Sequence, residues 1–128
     1  MVNELDIERW EKGKDHWNKW ANDLLDERSA LKSKGLWTLN QKGEGLNTET
    51  RNWIKKASVD FSGQHFDKNS DFANVIFPCV KMTELDDLHP NIAPNNYTTF
   101  EGSSLEAANF SNTTLSGINF KGAHLRNA

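Results

Sequence analysis

The sequence of 128 residues is poor in cysteine and proline and has no long apolar run. Cys79 is the only cysteine, which excludes an intramolecular disulfide and a multi-cysteine zinc site. No apolar stretch is long enough to cross a membrane, and the N-terminus carries no secretory signal. We therefore expect a cytoplasmic protein without a membrane partner, while the residues leave a signal-less secretion route open.

An excess of charge of one sign is also missing. The 15 Lys and Arg and the 18 Asp and Glu leave a net charge of −3, which disfavours direct binding to a nucleic-acid backbone. The hydrophobic fraction of 36% and the mean hydropathy of −0.75 are low for a conventional globular core. Such values are typical of a thin repeat protein, because its core is narrow.

What the sequence does contain is a ladder of large apolar residues near its C-terminus. Six of them recur at a strict period of five, namely Phe100, Leu105, Phe110, Leu115, Phe120 and Leu125. A period of five is neither the 3.6 of a helix nor the 2 of a strand. If each of these anchors points inward, the backbone must turn a corner between one anchor and the next, and four corners make a coil of about twenty residues.

The residues around the anchors suit such corners. Two positions after the anchors lie mainly residues that tolerate left-handed backbone angles: Gly102, Ala107, Asn112, Gly117, Gly122 and Asn127. Two positions before them lie mostly small residues: Thr98, Ser103, Ala108, Thr113 and Ala123, with Ile118 as the exception. We expect the small side chains to lie beside the anchors in the interior.

The runs Ala108–Asn112 and Ala123–Asn127 both read Ala-(Asn or His)-(Phe or Leu)-X-Asn, and 103–105 and 113–115 are looser copies. This pattern resembles the pentapeptide-repeat family, over about a quarter of the chain. The resemblance implies a right-handed quadrilateral β-helix. We therefore expect a mainly β fold, a pentapeptide-repeat solenoid with an N-terminal α-helical cap.

A first, less regular set of repeats precedes this ladder. Residues 59–63 form a pentad, and four phenylalanines follow the same spacing with one residue inserted near 69–71: Phe61, Phe66, Phe72 and Phe77. After Met82 the rhythm is lost in a stretch rich in Asp, Asn and Pro. We predict a β-helix over residues 59–128 that is interrupted by a loop at about 83–96.

The N-terminal residues 1–58 predict a helical hairpin. Apolar residues recur every seven positions between about Asn3 and Lys34, with Gly13 marking a kink or a break and Gly35 a stop. Asn47 or Thr48 begins a second helix that ends near residue 58. Their tryptophans could form a ligand box or a membrane-surface helix. We favour packing against the first coil, because the end of a solenoid must be covered.

No catalytic, cofactor-binding or metal-binding residues are predicted, and we expect no enzyme. The histidines (His16, His65, His89 and His124) are not at metal-ligand spacing. Cys79 has no histidine at a recognisable catalytic spacing, and the acidic pair Asp86–Asp87 is interpreted as solvated rather than as a cation site. Phosphate-loop and dinucleotide-binding patterns are also missing.

The preferred function is a structural or protein-interaction module with an unknown protein partner. The alternative, implied by the family resemblance, is a DNA mimic that binds gyrase or a related topoisomerase. Residues 61–128 carry seven acids and four bases. This charge imitates that of a DNA duplex only weakly, so mimicry ranks second. A bacterial effector that docks on a host protein is a third possibility.

The predicted C-terminal coil has no cap. An uncapped end favours either self-association through that coil or a longer native solenoid, of which this chain is the N-terminal part. We favour the longer solenoid.

Overall fold

The computed structural model describes residues 4–37, 47–79, 98–115 and 118–128. Three helices occupy its N-terminal part: α1 (Glu4–Glu11), α2 (Lys14–Ser33) and α3 (Thr48–Ala57). Gly13 separates α1 from α2 with a φ of 105°, so the kink or break predicted at this residue is a break. The side chain of Asn47 accepts a hydrogen bond from the backbone N–H of Glu49 at 2.9 Å, which confirms the predicted start of α3.

The expectation of a mainly β protein built on a right-handed quadrilateral β-helix is wrong. In the described residues the regular elements are the three helices, and the repeats contain isolated parallel bridges but neither strand nor sheet. The physical reason is the period of five itself. A corner interrupts the extended backbone after every few residues, so no run is long enough to form a strand.

The repeats nevertheless stack in three layers, which we call layer 1 (residues 59–79), layer 2 (98–115) and layer 3 (118–128). Parallel bridges join Thr99 to Asn119 and Ser104 to His124, so layers 2 and 3 are offset by 20 residues. The N–H of Phe100 donates to the carbonyl of Asn119 at 2.7 Å. The layers are therefore held in register by backbone hydrogen bonds.

Layer 1 pairs with layer 2 in a register that reveals the inserted residue. Asp60 and His65 bridge to partners 39 positions later, whereas Asp71 bridges to Asn109, 38 positions later. The extra residue thus lies between His65 and Asp71, as predicted. The left-handed corner residue there is Asn69, with a φ of 67°, three positions after Phe66 instead of two.

The corners lie where the sequence indicated. Left-handed φ values occur two positions after the anchors in the described part of the ladder, at Gly102, Ala107, Asn112, Gly122 and Asn127. Side chains one position before several anchors tighten these corners. Asn109 and Asn119, for example, each accept the backbone N–H two residues later, at 2.9 and 2.8 Å.

The interior is an aromatic core that becomes more exposed toward layer 3. Phe61, Phe72 and Phe100 are fully buried, whereas Phe120 is half-buried and Leu125 is 40% exposed. Rings of successive layers stack, with 4.9 Å and 10° between Phe72 and Phe110 and 5.4 Å and 11° between Phe100 and Phe120. The predicted inward ladder is therefore confirmed for the Phe anchors of layers 2 and 3.

Several predicted features lie outside the described residues. They are the loop at 83–96 with Asp86, Asp87 and His89, the anchor Met82, the connection at 38–46 and the corner at Gly117.

Candidate functional site

The helices meet the repeats through side chains that bond the outer backbone edge of layer 1. A carboxylate oxygen of Asp6 accepts the N–H of Asp60 at 2.9 Å. The ammonium group of Lys14 donates to the carbonyl of Ala73 at 2.7 Å. An unpaired strand edge would bind another chain, and these helical side chains occupy its hydrogen-bonding groups instead.

Asn18 imitates a neighbouring peptide group at this edge. Its amide nitrogen donates to the carbonyl of Asn74 at 3.0 Å, and its amide oxygen accepts the N–H of Ile76 at 2.9 Å. The indole N–H of Trp17 donates to the carbonyl of Ile76 at 2.8 Å. Two neighbouring residues of α2 thus satisfy three backbone groups of layer 1.

Two tryptophans cover the aromatic core at the same end. Trp17 is fully buried and lies 5.5 Å from Phe61 and 6.1 Å from Phe77 between ring centroids. Trp10 stacks on Phe72 at 4.6 Å and 12°, so its indole continues the column of stacked rings by one more member. The aromatic column therefore ends in the helices rather than in solvent.

Trp37 and Trp53 form a second cluster, and Trp20 packs against both clusters. Trp53 is fully buried, donates its indole N–H to the carbonyl of Leu24 at 2.7 Å and meets Trp37 edge-on at 5.1 Å. This cluster joins α2 to α3 and includes Cys79, but it does not cover the phenylalanines of layer 1. The tryptophans therefore serve two different interfaces.

The tie from Asp6 is part of a buried charged group. Asp6 is only 3% exposed, and its carboxylate also accepts a 2.9 Å bond from the guanidinium of Arg9. That guanidinium lies 3.9 Å from the ring centroid of Trp20. Burial raises the pKa of Asp6 above its ordinary value, against the opposing effects of the Asp60 N–H and of Arg9.

Two grooves flank α1, and their charges differ in sign. The first, which we call the α1 groove, lies between α1 and layer 1, has a volume of about 310 Å³ and includes Ile7, Trp10, Glu11, Phe66 and Asp67 in its lining. The second, the α3 groove, lies between α1, α2 and α3 and has a volume of about 320 Å³. Its lining includes Leu5, Arg9, Trp20, Lys55 and Lys56.

The titratable side chains considered in the sequence are not brought together. His16, His65 and His124 are exposed and lie on α2, layer 1 and layer 3. Cys79 is buried, and burial raises the pKa of its thiol to about 11. In the part of the chain that the structure describes, no group of three or more His, Cys, Asp or Glu residues could hold a metal ion.

Sequence reasoning missed the polar side chains that tie the helices to layer 1. Lys14 and Asn18 are four residues apart on α2 and flank Trp17, so they share its face. Polar residues on the apolar face of a helix were a usable signal, because such positions need buried partners. Asp6 is the equivalent polar side chain on α1.

The register of the layers and their five-residue corners define a repeat protein. Residues 96–128 match the family model described as "Pentapeptide repeats (8 copies)". The resemblance noted from the sequence is thus confirmed for that segment. No curated protein and no solved structure matches the chain. No helix in the described ranges is both long and apolar enough to cross a membrane.

Proposed function

We propose that this chain is a non-enzymatic protein-interaction module. Helices α1 and α2 cover one end of the repeats, and layers 1 to 3 present a stack of outward-facing side chains to a partner. The observation that carries this proposal is the register of the layers. Bridges align His65, Ser104 and His124 in one outward row and Asp60, Thr99 and Asn119 in another.

Such rows favour recognition of another protein. Neighbouring members are about 4.8 Å apart, the spacing of paired backbones, so a partner meets polar groups at regular intervals. The inside of the described layers is packed with buried hydrophobic side chains, most of the large ones phenylalanines. The exposed, scattered histidines and the buried thiol of Cys79 also favour binding over catalysis.

The alternative function, DNA mimicry toward a topoisomerase, has less support. Of the seven acids in residues 61–128, Glu84, Asp86 and Asp87 lie outside the described residues. The four described acids are accompanied by three bases, Lys68, Lys121 and Arg126, and Lys68 lies 3.9 Å from a carboxylate oxygen of Glu106. Inhibition of gyrase supercoiling by the purified chain at micromolar concentration would reverse this ranking.

The test of the interaction proposal is capture of a partner from an extract of the source cells. We compare the unaltered chain with the double variant Ser104→Ala and His124→Ala, which removes two members of one row. The matched control, His16→Ala with Ser29→Ala, changes the same residue types at exposed positions on α2.

We expect the unaltered chain and the control to retain the same protein and the row variant to lose it. The module proposal fails if nothing is retained above the empty matrix. Equal retention by all three chains means that the row is not the binding surface. A cytoplasmic location and self-association through layer 3 stay predictions; sedimentation of the purified chain tests the latter.

A further inference from the structure

The α1 groove has an apolar floor and an acidic rim. Phe66 is 6% exposed, and Ile7 and Trp10 are half-buried on the side of α1 that faces layer 1. Glu11 and Asp67 are exposed and lie among the lining residues from opposite sides, one on α1 and one on layer 1. A volume of about 310 Å³ equals that of roughly ten waters at ~30 Å³ each, enough for one long side chain.

Three of the nearby cations are engaged elsewhere. Lys14 lies 3.0 Å from a carboxylate oxygen of Asp71, and Lys68 lies 3.9 Å from one of Glu106. Arg9 faces the α3 groove, where it pairs with Asp6. No lysine or arginine lines the α1 groove among the described residues, and its remaining polar lining residues are Gln64, His65 and Ser70.

The negative charge of the groove comes from its two carboxylates. Glu11 is the last residue of α1, and α2 begins at Lys14, so opposite ends of the two helix dipoles lie side by side there. The floor beside it contains the indole of Trp10, and an aromatic face attracts cations. A cation entering the groove therefore meets two carboxylates and an aromatic ring.

We propose that the α1 groove binds an arginine side chain of a protein partner, flanked by apolar residues. A guanidinium fits better than an ammonium group, because its flat ion stacks on an aromatic ring while its N–H groups reach carboxylates on both sides. The apolar neighbours of that arginine would pack on Ile7. This inference rests on the proposed interaction function and names the chemistry that one of its surfaces recognises.

The test uses a capped peptide, N-acetyl-Leu-Arg-Leu-amide, titrated into isotope-labelled protein and followed through backbone amide signals. We expect saturable shifts confined to residues 7–11 and 64–67. Citrulline in place of arginine keeps the shape but removes the charge and should weaken binding about tenfold, the size of one charge-assisted contact. Glutamate in place of arginine should abolish binding.

Variants of the protein complete the experiment. The double variant Glu11→Gln and Asp67→Asn changes exposed residues, so the fold is kept, and it should weaken binding about tenfold as well. Glu8→Gln is the matched control, since Glu8 is an exposed acid of α1 that does not line the groove, and it should leave binding unchanged.

Three results of the peptide titration would overturn the inference. They are no saturable shift at millimolar peptide, equal binding of the citrulline peptide, or equal effects of Glu8→Gln and of the double variant. A partner captured from extract but still bound by the double variant would refute the groove while leaving the module intact. Peptide binding without any captured partner would refute the module alone. Self-association that disappears in the double variant would identify an arginine of a second copy as the occupant, against a separate partner.

Discussion

Ser103 is the residue of the repeat core whose hydrogen-bonding capacity is least satisfied. Its side chain is fully buried, and its hydroxyl has no hydrogen-bond partner in the described part of the chain. Thr98, at the equivalent position five residues earlier, donates its hydroxyl to the carbonyl of Cys79 at 2.8 Å. Ala108, five residues later, has no hydroxyl to satisfy. The repeat thus tolerates a polar residue here at some expense in stability.

Replacing Ser103 by alanine should therefore stabilise the protein. The change removes an unsatisfied buried hydroxyl, and we expect the free energy of unfolding to rise by about 1 kcal/mol. Thr98→Ala is the control, because it removes a satisfied hydroxyl and should lower that free energy by about 1–2 kcal/mol. Urea unfolding measures both, and a loss of stability in Ser103→Ala would show that its hydroxyl has a partner after all.

Two aspartates should contribute to the pH dependence of stability in opposite directions. Burial raises the pKa of Asp6 above its ordinary 3.8, so its contribution is complete below pH 3.8 and is lost as pH rises through the folded value. The hydrogen bond from Lys14 lowers the pKa of Asp71 below 3.8, so its contribution is present above pH 3.8 and is lost as pH falls through the folded value.

Urea unfolding at several pH values should separate these two effects. Relative to the unaltered chain, Asp6→Asn should gain stability as pH rises from 3.8, because asparagine does not ionise. Asp71→Asn should lose relative stability as pH rises through the region below 3.8. Parallel curves for either variant and the unaltered chain would show that the folded and unfolded chains share one pKa at that residue.

At the scale of the element, Gly13 decides where α1 lies. Its φ of 105° and ψ of 161° fall in a region that is open to glycine and strained for other residues. The break directs α1 across the edge of layer 1, so that Asp6 and Trp10 reach Asp60 and Phe72. A continuous helix through Gly13 would lose both contacts.

Gly13→Ala should detach α1 while the rest of the chain stays folded. We expect a loss of about 1–3 kcal/mol, the strain of a side chain at this backbone angle. The specific sign is faster hydrogen exchange at the N–H of Asp60, which donates to Asp6, with little change at Ile76, which donates to Asn18. Lys12→Ala, one residue away, should change neither amide. Equal acceleration at both amides would indicate general destabilisation.

The sequence predicted the helix boundaries and the corners better than it predicted the fold class. Gly13, Asn47 and the glycines and asparagines of the corners are local signals, and the structure confirms them because backbone angles depend on a few neighbouring atoms. The β-helix failed because corners at every fifth residue leave isolated bridges and no strand. The charged lining of the α1 groove was unpredictable, since it joins Glu11 to Asp67 across 56 positions.

At the scale of the whole molecule, the two ends of the stack differ. The outer edge of layer 1 is bonded by side chains of α1 and α2, and its core is covered by Trp10 and Trp17. At layer 3, Phe120 is half-buried and Leu125 is 40% exposed. The helices therefore protect one end from pairing with another chain.

Removing that protection should make the covered end associate. Trp17→Ala takes away a fully buried indole and the donor to Ile76, so it uncovers Phe61 and Phe77 at a cost of about 3–5 kcal/mol. We expect concentration-dependent association of the folded variant in sedimentation velocity, at a temperature where helical circular dichroism is retained.

The variant Trp53→Ala is the control that distinguishes association caused by exposure of this end from association caused by loss of stability. Trp53 is also fully buried and also donates its indole N–H, but it lies in the cluster between α2 and α3. Its removal should destabilise the chain by a similar amount and leave layer 1 covered, so association should stay at the level of the unaltered chain. Equal association of the two variants would mean that partial unfolding drives it. A folded Trp17→Ala that does not associate beyond the unaltered chain would show that the side-chain hydrogen bonds of Asp6, Lys14 and Asn18 suffice to protect the edge.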